Sequence, residues 1–213
     1  MTTSVLKDTF YKIPGKKQDH IINSALKEFA KRGYSGTNIL DIAKRAKISV
    51  GSLYTYVDSK DELYLAVADI LVTQQVEQIR AIELKDYFMD NICLLFQWVN
   101  NQSKKQTDGT KFYFDMMTEM VTPRIKDVSM RLEMELHKLY LEVAERAITQ
   151  GEIPADTDKS LFTFMLNSYL ITYQLALTTT HNREKSKIYF GSGQPEELGQ
   201  LMCDHFEHSF KRK

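Results

Sequence analysis

Only four prolines and nine glycines interrupt a chain of 213 residues. A backbone with so few places to turn pairs its N–H and C=O groups most simply within long helices. The apolar pattern agrees, because hydrophobic side chains recur three and four apart and no segment alternates. Ile21, Ile22, Ala25, Leu26, Phe29 and Ala30 mark a helix from Lys16 to Arg32, which Gly33 stops. Ser59, followed by Asp61 and Glu62, opens a long helix to about Arg80. Beyond it, Lys85 to Ser103 is apolar on most sides, Lys104 to Thr110 reads as a polar loop, and Lys111 to Val121 as a short aromatic and methionine-rich helix. Pro123 starts a striped helix that Gly151 and Pro154 end, Asp156 to His181 forms another, and Pro195 to Phe210 forms the last. His181 to Gln194 reads as a polar connector. The predicted class is all-α.

Ser160 to Thr180 carries no formal charge, yet Thr163, Asn167, Ser168, Thr172 and Gln174 place polar groups along it. That pattern predicts a buried helix of a soluble protein rather than a bilayer span, so no membrane partner is expected. Cys93 and Cys203 lie 110 positions apart, which argues against a disulfide scaffold and fits a reducing, cytoplasmic setting. Signals for an enzyme are poor: there is no phosphate-cradling glycine loop, metalloprotease motif, calcium loop or nucleophile elbow. Cys203, His205 and His208 carry donor atoms but fall short of a tetrahedral zinc set, so they are expected at an interface or surface, with neither metal nor cofactor.

Between the first two long helices, Thr37 is a good N-cap for a short helix to about Ala46, and Ser49 is a second N-cap for a short element from Val50 to Val57. Two short helices joined by a three-residue turn form a helix-turn-helix candidate. The second helix of such a unit enters the major groove by its N-terminal end, so residues there must be small and polar. Ser49, Gly51, Ser52 and Thr55 qualify, and Val50 suits a thymine methyl. Tyr54 and Tyr56 offer hydroxyls to phosphates, and Lys60 assists the amides at the start of the next helix. Charge supports this reading. The formal total is zero, but residues 1–60 hold 11 basic and five acidic side chains, a balance of +6 that leaves −6 for residues 61–213.

Phe29-Ala-Lys-Arg-Gly33-Tyr34, Thr37-Asn-Ile39, Ile42-Ala43, Ala46-Lys-Ile-Ser49, Gly51-Ser-Leu53-Tyr54 and Tyr56-Val-Asp-Ser59-Lys60-Asp-Glu-Leu63 together resemble the DNA-binding domain of the TetR family of bacterial transcriptional repressors. The resemblance covers about residues 16–64. It implies a homodimer, a palindromic DNA operator and a C-terminal domain whose small-molecule ligand releases the DNA. The corresponding division is an N-terminal arm at 1–15, a DNA-binding domain at 16–62, and a ligand-binding and dimerisation domain at 63–213. Two positions depart from the family pattern. Lys47 stands where glycine is common in the turn, with about 1 kcal/mol at stake if the backbone there is left-handed; it joins Thr37 and the residues above as a candidate DNA contact. Val57 replaces the usual aromatic.

The remainder is dense in aromatic and methionine side chains, which pack helices and also line ligand pockets. Phe96, Trp98, Tyr113, Met116, Met117, Met120, Asn167, Tyr169 and Tyr173 are the candidate ligand contacts, and a largely apolar or aromatic effector is expected. Asp115 and Glu119 either receive a cationic guest or face water. Phe162, Met165 and Thr172, with Leu198, Met202 and Phe206, are the expected dimer contacts on two helices. The competing reading is a helical adaptor without sequence-specific DNA recognition. Under either, no catalytic residue is expected.

Overall fold

The computed structural model describes residues 5–105, 107–119, 122–191 and 195–210, and these contain helices and no strand. In chain order the helices are α1 (Asp8–Tyr11), α2 (Gly15–Gly36), α3 (Ile39–Arg45), α4 (Val50–Tyr54), α5 (Lys60–Arg80) and α6 (Phe88–Lys105). They continue with α7 (Thr107–Glu119), α8 (Pro123–Thr149), α9 (Lys159–Thr178), α10 (Thr180–Phe190) and α11 (Pro195–Phe210). Two compact units emerge, Met1–Glu77 with Asp108–Leu132, and Gln78–Thr107 with Glu133–Lys213. This differs from a single cut near residue 62, because α7 and the start of α8 join the N-terminal helices.

In the first unit the apolar face of α2 supplies Ile21, Ile22, Ala25, Phe29 and Ala30, all buried. The ring of Phe29 stands edge-on to Tyr64 of α5 at 4.9 Å and lies 6.2 Å from Phe112 of α7. This three-helix aromatic contact is why α7 belongs to this unit. A backbone break at Gly33, with φ of 68°, bends the end of α2. Only a residue without Cβ takes that conformation easily. The side chain of Glu119 fills the space beside it and accepts the Tyr34 N–H at 3.1 Å, so at least this acid is committed within the protein.

The first residues are not a free arm. Leu6 and Phe10 are buried, the Lys7 N–H donates to the Tyr56 carbonyl at 2.9 Å, and the Thr9 hydroxyl donates to the Thr55 carbonyl. Residues 5–13 therefore close over the C-terminal end of α4. Two apolar anchors outweigh the basic character that suggests an extended arm.

In the second unit α9 packs against α6, α10 and α11. Phe162 is fully buried, with ring centroids of Phe88, Phe206 and Phe210 at 6.0, 5.2 and 5.0 Å. Asp158 caps α9 by accepting the N–H groups of Ser160 and Leu161. The expected connector after residue 181 is instead α10 as far as Phe190. Thr179 ends α9 and starts α10, its hydroxyl accepting the Asn182 N–H at 3.3 Å. The polar composition of α10 concealed it because the helix buries no residue. The expected loop at 104–110 is likewise mostly helical, belonging to α6 and α7.

Candidate functional site

The turn between α3 and α4 is built from backbone outward. Its N-cap is Asn38 rather than Thr37: the Asn38 Oδ1 accepts the Leu40 N–H at 2.9 Å. Thr37 is buried, and its hydroxyl donates to the carbonyls of Gly33 at 2.6 Å and Glu28 at 3.1 Å, so it secures the end of α2 and is not an exposed DNA contact. At the other end of α3, the Ile48 N–H donates to Ala43 and the Lys47 N–H to Lys44. These paired bonds close a Schellman turn, which puts its key residue in the left-handed region. That residue is Lys47, with φ of 56°. The chain accepts about 1 kcal/mol of strain relative to glycine and gains an exposed cation next to the second helix.

Ser49 caps α4, its hydroxyl oxygen accepting the Ser52 N–H at 3.0 Å and lying 2.8 Å from the Ser52 hydroxyl. Leu53, fully buried with Ile42 and Ala43, pins the inner side of the two short helices to the core. The outer side presents Ser49, Gly51, Tyr54 and Thr55 as exposed residues, with Val50 and Ser52 half-buried. The Thr55 hydroxyl donates to the Ser52 carbonyl at 2.6 Å, leaving its oxygen able to accept. Tyr54 is 44% exposed. Tyr56 is buried, its ring 6.0 Å from that of Phe10 with the Lys17 ammonium 5.9 Å above it. This corrects the expectation that Tyr56 presents itself to phosphate; it packs α4 beneath α1.

Lys60 is also corrected. Its ammonium donates to the carbonyls of Tyr34 at 3.0 Å and Thr37 at 3.2 Å and sits 4.1 Å over the Tyr34 ring. Carbonyls left open at the end of α2 attract the cation that a phosphate was expected to hold. Lys7 is similarly tied to Asp58 and the Tyr54 carbonyl. Glu28, buried, accepts Arg45 at 2.6 Å and has Arg32 at 3.5 Å, joining α2 to α3. Lys44 and Lys47 remain exposed, without an ion pair or side-chain hydrogen bond among the described residues. Lys44 lies just before the turn and Lys47 within it, and both are available to a polyanion; Lys44 was visible in the sequence as a charge on the outer face of α3.

This polar, closely approachable helix end on a three-helix support is matched by comparison. Residues 21–67 match the family model described as bacterial regulatory proteins, tetR family. Residues 21–67 are therefore a DNA-binding domain of the TetR type. Among its relatives, the HTH-type transcriptional regulator HbdR of Aromatoleum sp. (strain CIB) is 29% identical over 168 residues, 77% of this chain and 67% of that one. The biofilm operon icaADBC HTH-type negative transcriptional regulator IcaR of Staphylococcus epidermidis is 43% identical over 47 residues, 22% of this chain and 25% of that one. A solved TetR family transcriptional regulator from Chloroflexus aurantiacus shares the fold with a TM-score of 0.71 at 19% identity, covering 98% of this chain and 99% of that one. A chain with this domain and these relatives is a DNA-binding transcriptional regulator, and the relatives are regulators rather than enzymes.

The expected ligand residues are dispersed. In the second unit a cavity of about 300 Å³ is lined by residues of α8 and α9, including Glu133, His137, Tyr140, Phe164 and Asn167. A smaller one, about 120 Å³, lies among α6, α9 and α11 and includes Phe96 and Tyr173. Trp98 and Tyr169 line neither; Tyr169 stacks on His205. Tyr113, Met116 and Met117 belong to α7 in the first unit, where Met116 is core and Met117 is exposed. Met120 lies outside the described residues. Sequence reasoning missed Glu133, His137 and Tyr140 because they sit on a helix whose apolar stripe masked its second, polar-aromatic face.

The dimer expectation is corrected for three of its six residues. Phe162, Leu198 and Phe206 are buried within their own chain. Met165 and Met202 are half-buried and Thr172 is exposed. The apolar side chains that α9 and α11 leave open are Leu161, Phe164 and Leu201, at 54, 70 and 52% exposure. Among the described residues no helix is long and apolar enough to cross a membrane, and no group of three donor residues is placed to hold a metal.

Proposed function

We propose that this chain is a dimeric repressor that binds a palindromic operator through α4 and leaves it when a small effector binds the second unit. The observation that carries the reading is the outer side of α4, where Ser49, Gly51, Tyr54 and Thr55 are exposed, together with Lys44 and Lys47 at the preceding turn, exposed and without an ion pair among the described residues. Small side chains admit the helix end to a major groove, and two cations with a tyrosine hydroxyl supply phosphate contacts. One such helix reads too few bases for specificity, so two copies on half-sites about 34 Å apart are required. Leu161, Phe164, Met165, Ser168 and Thr172 lie along one face of α9, and Leu201 and His205 along one face of α11; these form the contact between copies. Repression rather than activation follows the negative regulator IcaR among the relatives.

The effector occupies the cavity of about 300 Å³, at the lower end of the range for small-molecule sites. Leu136, Tyr140 and Phe164 receive an apolar or aromatic body, and Glu133, His137 and Asn167 orient its polar end. Phe164 lines this cavity and also stands on the exposed face of α9. Effector binding and the contact between copies therefore compete for one side chain, and the ligand shifts the population of dimer geometries. Selection of binding sites from random duplex DNA is the test. It should enrich a palindrome whose binding is lost with Lys44→Ala and Lys47→Ala together; no enrichment overturns the reading.

A further inference from the structure

Cys93 on α6 and Cys203 on α11 are distant in sequence, yet their sulfur atoms lie 2.8 Å apart. The 110 intervening residues, which argue against a disulfide scaffold, do not keep the two side chains apart in the fold. Cys203 is buried and Cys93 half-buried, and both line the cavity of about 120 Å³. Gly199 explains the approach. A Cβ there would lie 2.6 Å from a carbon of the Tyr173 ring, so only glycine lets α11 come this close to α9. Gly199 and Cys203 are four residues apart and share a helix face, so the contact that needs glycine also sets Cys203 against Cys93.

We propose that Cys93 and Cys203 are an oxidation site, closing to a reversible intrachain disulfide when a hydroperoxide reaches the cavity. The Cys93 thiolate attacks the terminal peroxide oxygen; the O–O bond breaks, and the departing oxygen takes a proton to leave as alcohol or water. The resulting sulfenic sulfur is attacked by Cys203; the S–O bond breaks and the second oxygen leaves as water with the remaining proton. In net, two thiols and one hydroperoxide give one disulfide, one alcohol and one water. A small dithiol reverses the bond by exchange. The more accessible Cys93 reacts first and the buried Cys203 resolves it, which protects Cys93 from further oxidation. The bond ties α6 to α11 along one wall of the cavity. Transient disulfides of this kind serve as redox sensors even where thiols are normally reduced.

The inference does not rest on DNA binding, and its test does not use DNA. The full chain is reduced, treated with hydrogen peroxide, alkylated and weighed intact. The expected product is a single chain lighter by two hydrogens with no alkylated cysteine, restored to two alkylated cysteines by dithiothreitol. Cys93→Ser should abolish it, and Gly199→Ala should slow closure several-fold. Two thiols that remain alkylatable in the wild-type chain, or oxidation that gives only sulfinic acid or linkage between chains, overturns the proposal. Closure in Gly199→Ala as fast as in wild type overturns the packing argument for it.

Discussion

The two units use similar side chains to opposite ends. In the first, Phe29, Tyr64 and Phe112 join three helices in one aromatic cluster, and Glu28, Lys60 and Lys7 are each committed to specific partners. The burial of Tyr64, reinforced by the charges of Glu119 and Asp115, pushes its phenol above the ordinary tyrosine range. In the second unit, Phe96 and Tyr173 border a cavity, while Phe164, Ile188 and Tyr189 stand more than two-thirds exposed. A unit that must present one helix end in a fixed attitude gains from a filled core. On the proposed function the second unit receives a ligand or another copy, which calls for cavities and uncovered apolar surface.

Core truncation tests the filled character of the first unit most severely. Phe29→Ala should lower the unfolding free energy by about 3–5 kcal/mol, read from urea denaturation, because the cavity it leaves is walled by Tyr64 and Phe112. A loss below about 1 kcal/mol would mean that the cluster collapses readily and that the contrast in packing is mistaken. Glu28→Gln comes next, at about 2 kcal/mol, since it weakens the pairing of a buried carboxylate whose arginine partners are two-fifths exposed.

Lys47→Gly separates stability from binding. Removing left-handed strain should stabilise the chain by about 1 kcal/mol in the same assay. Loss of a phosphate contact should meanwhile weaken DNA binding and reduce the slope of log affinity against log salt by about one. If stability rises and the salt slope is unchanged, Lys47 is a tolerated turn residue and not a contact.

The smallest effects distinguish the units by pH. In the second, hydrogen bonds from Arg80 and Lys138 hold the Glu135 carboxyl down to about 2. Its stabilisation is present above the ordinary carboxylate value of 4.5 and disappears as pH falls through about 2. Glu135→Gln should therefore be the less stable protein at neutral pH, with the difference vanishing in acid. In the first unit, burial, then the hydrogen bond to Asp61 and that residue's charge, push Tyr34 up to about 12. That contribution is complete below 10 and is lost as pH rises through about 12, so Tyr34→Phe should remove an alkaline decline in stability. Urea midpoints across both windows check the pair.

The helix-turn-helix was legible because its marks are local: Ser49 caps the helix it precedes, and the break after Ala46 falls where the backbone turns. Thr37 and Asn38 show the limit of that reading. Both residue types cap helices, and only the carbonyls of Glu28 and Gly33 above Thr37 turn its hydroxyl inward and leave the cap to Asn38.

The sequence by itself determined the all-α class, the two short helices and the basic first segment, since periodicity, capping and charge act within a few residues. The tertiary structure decided which faces became surface. It turned Phe162 and Phe206 inward and Phe164 outward, drew Lys60 onto the end of α2, and brought Cys93 to Cys203. Periodicity sets side chains relative to their own helix axis, whereas the neighbour each face meets depends on contacts between distant segments.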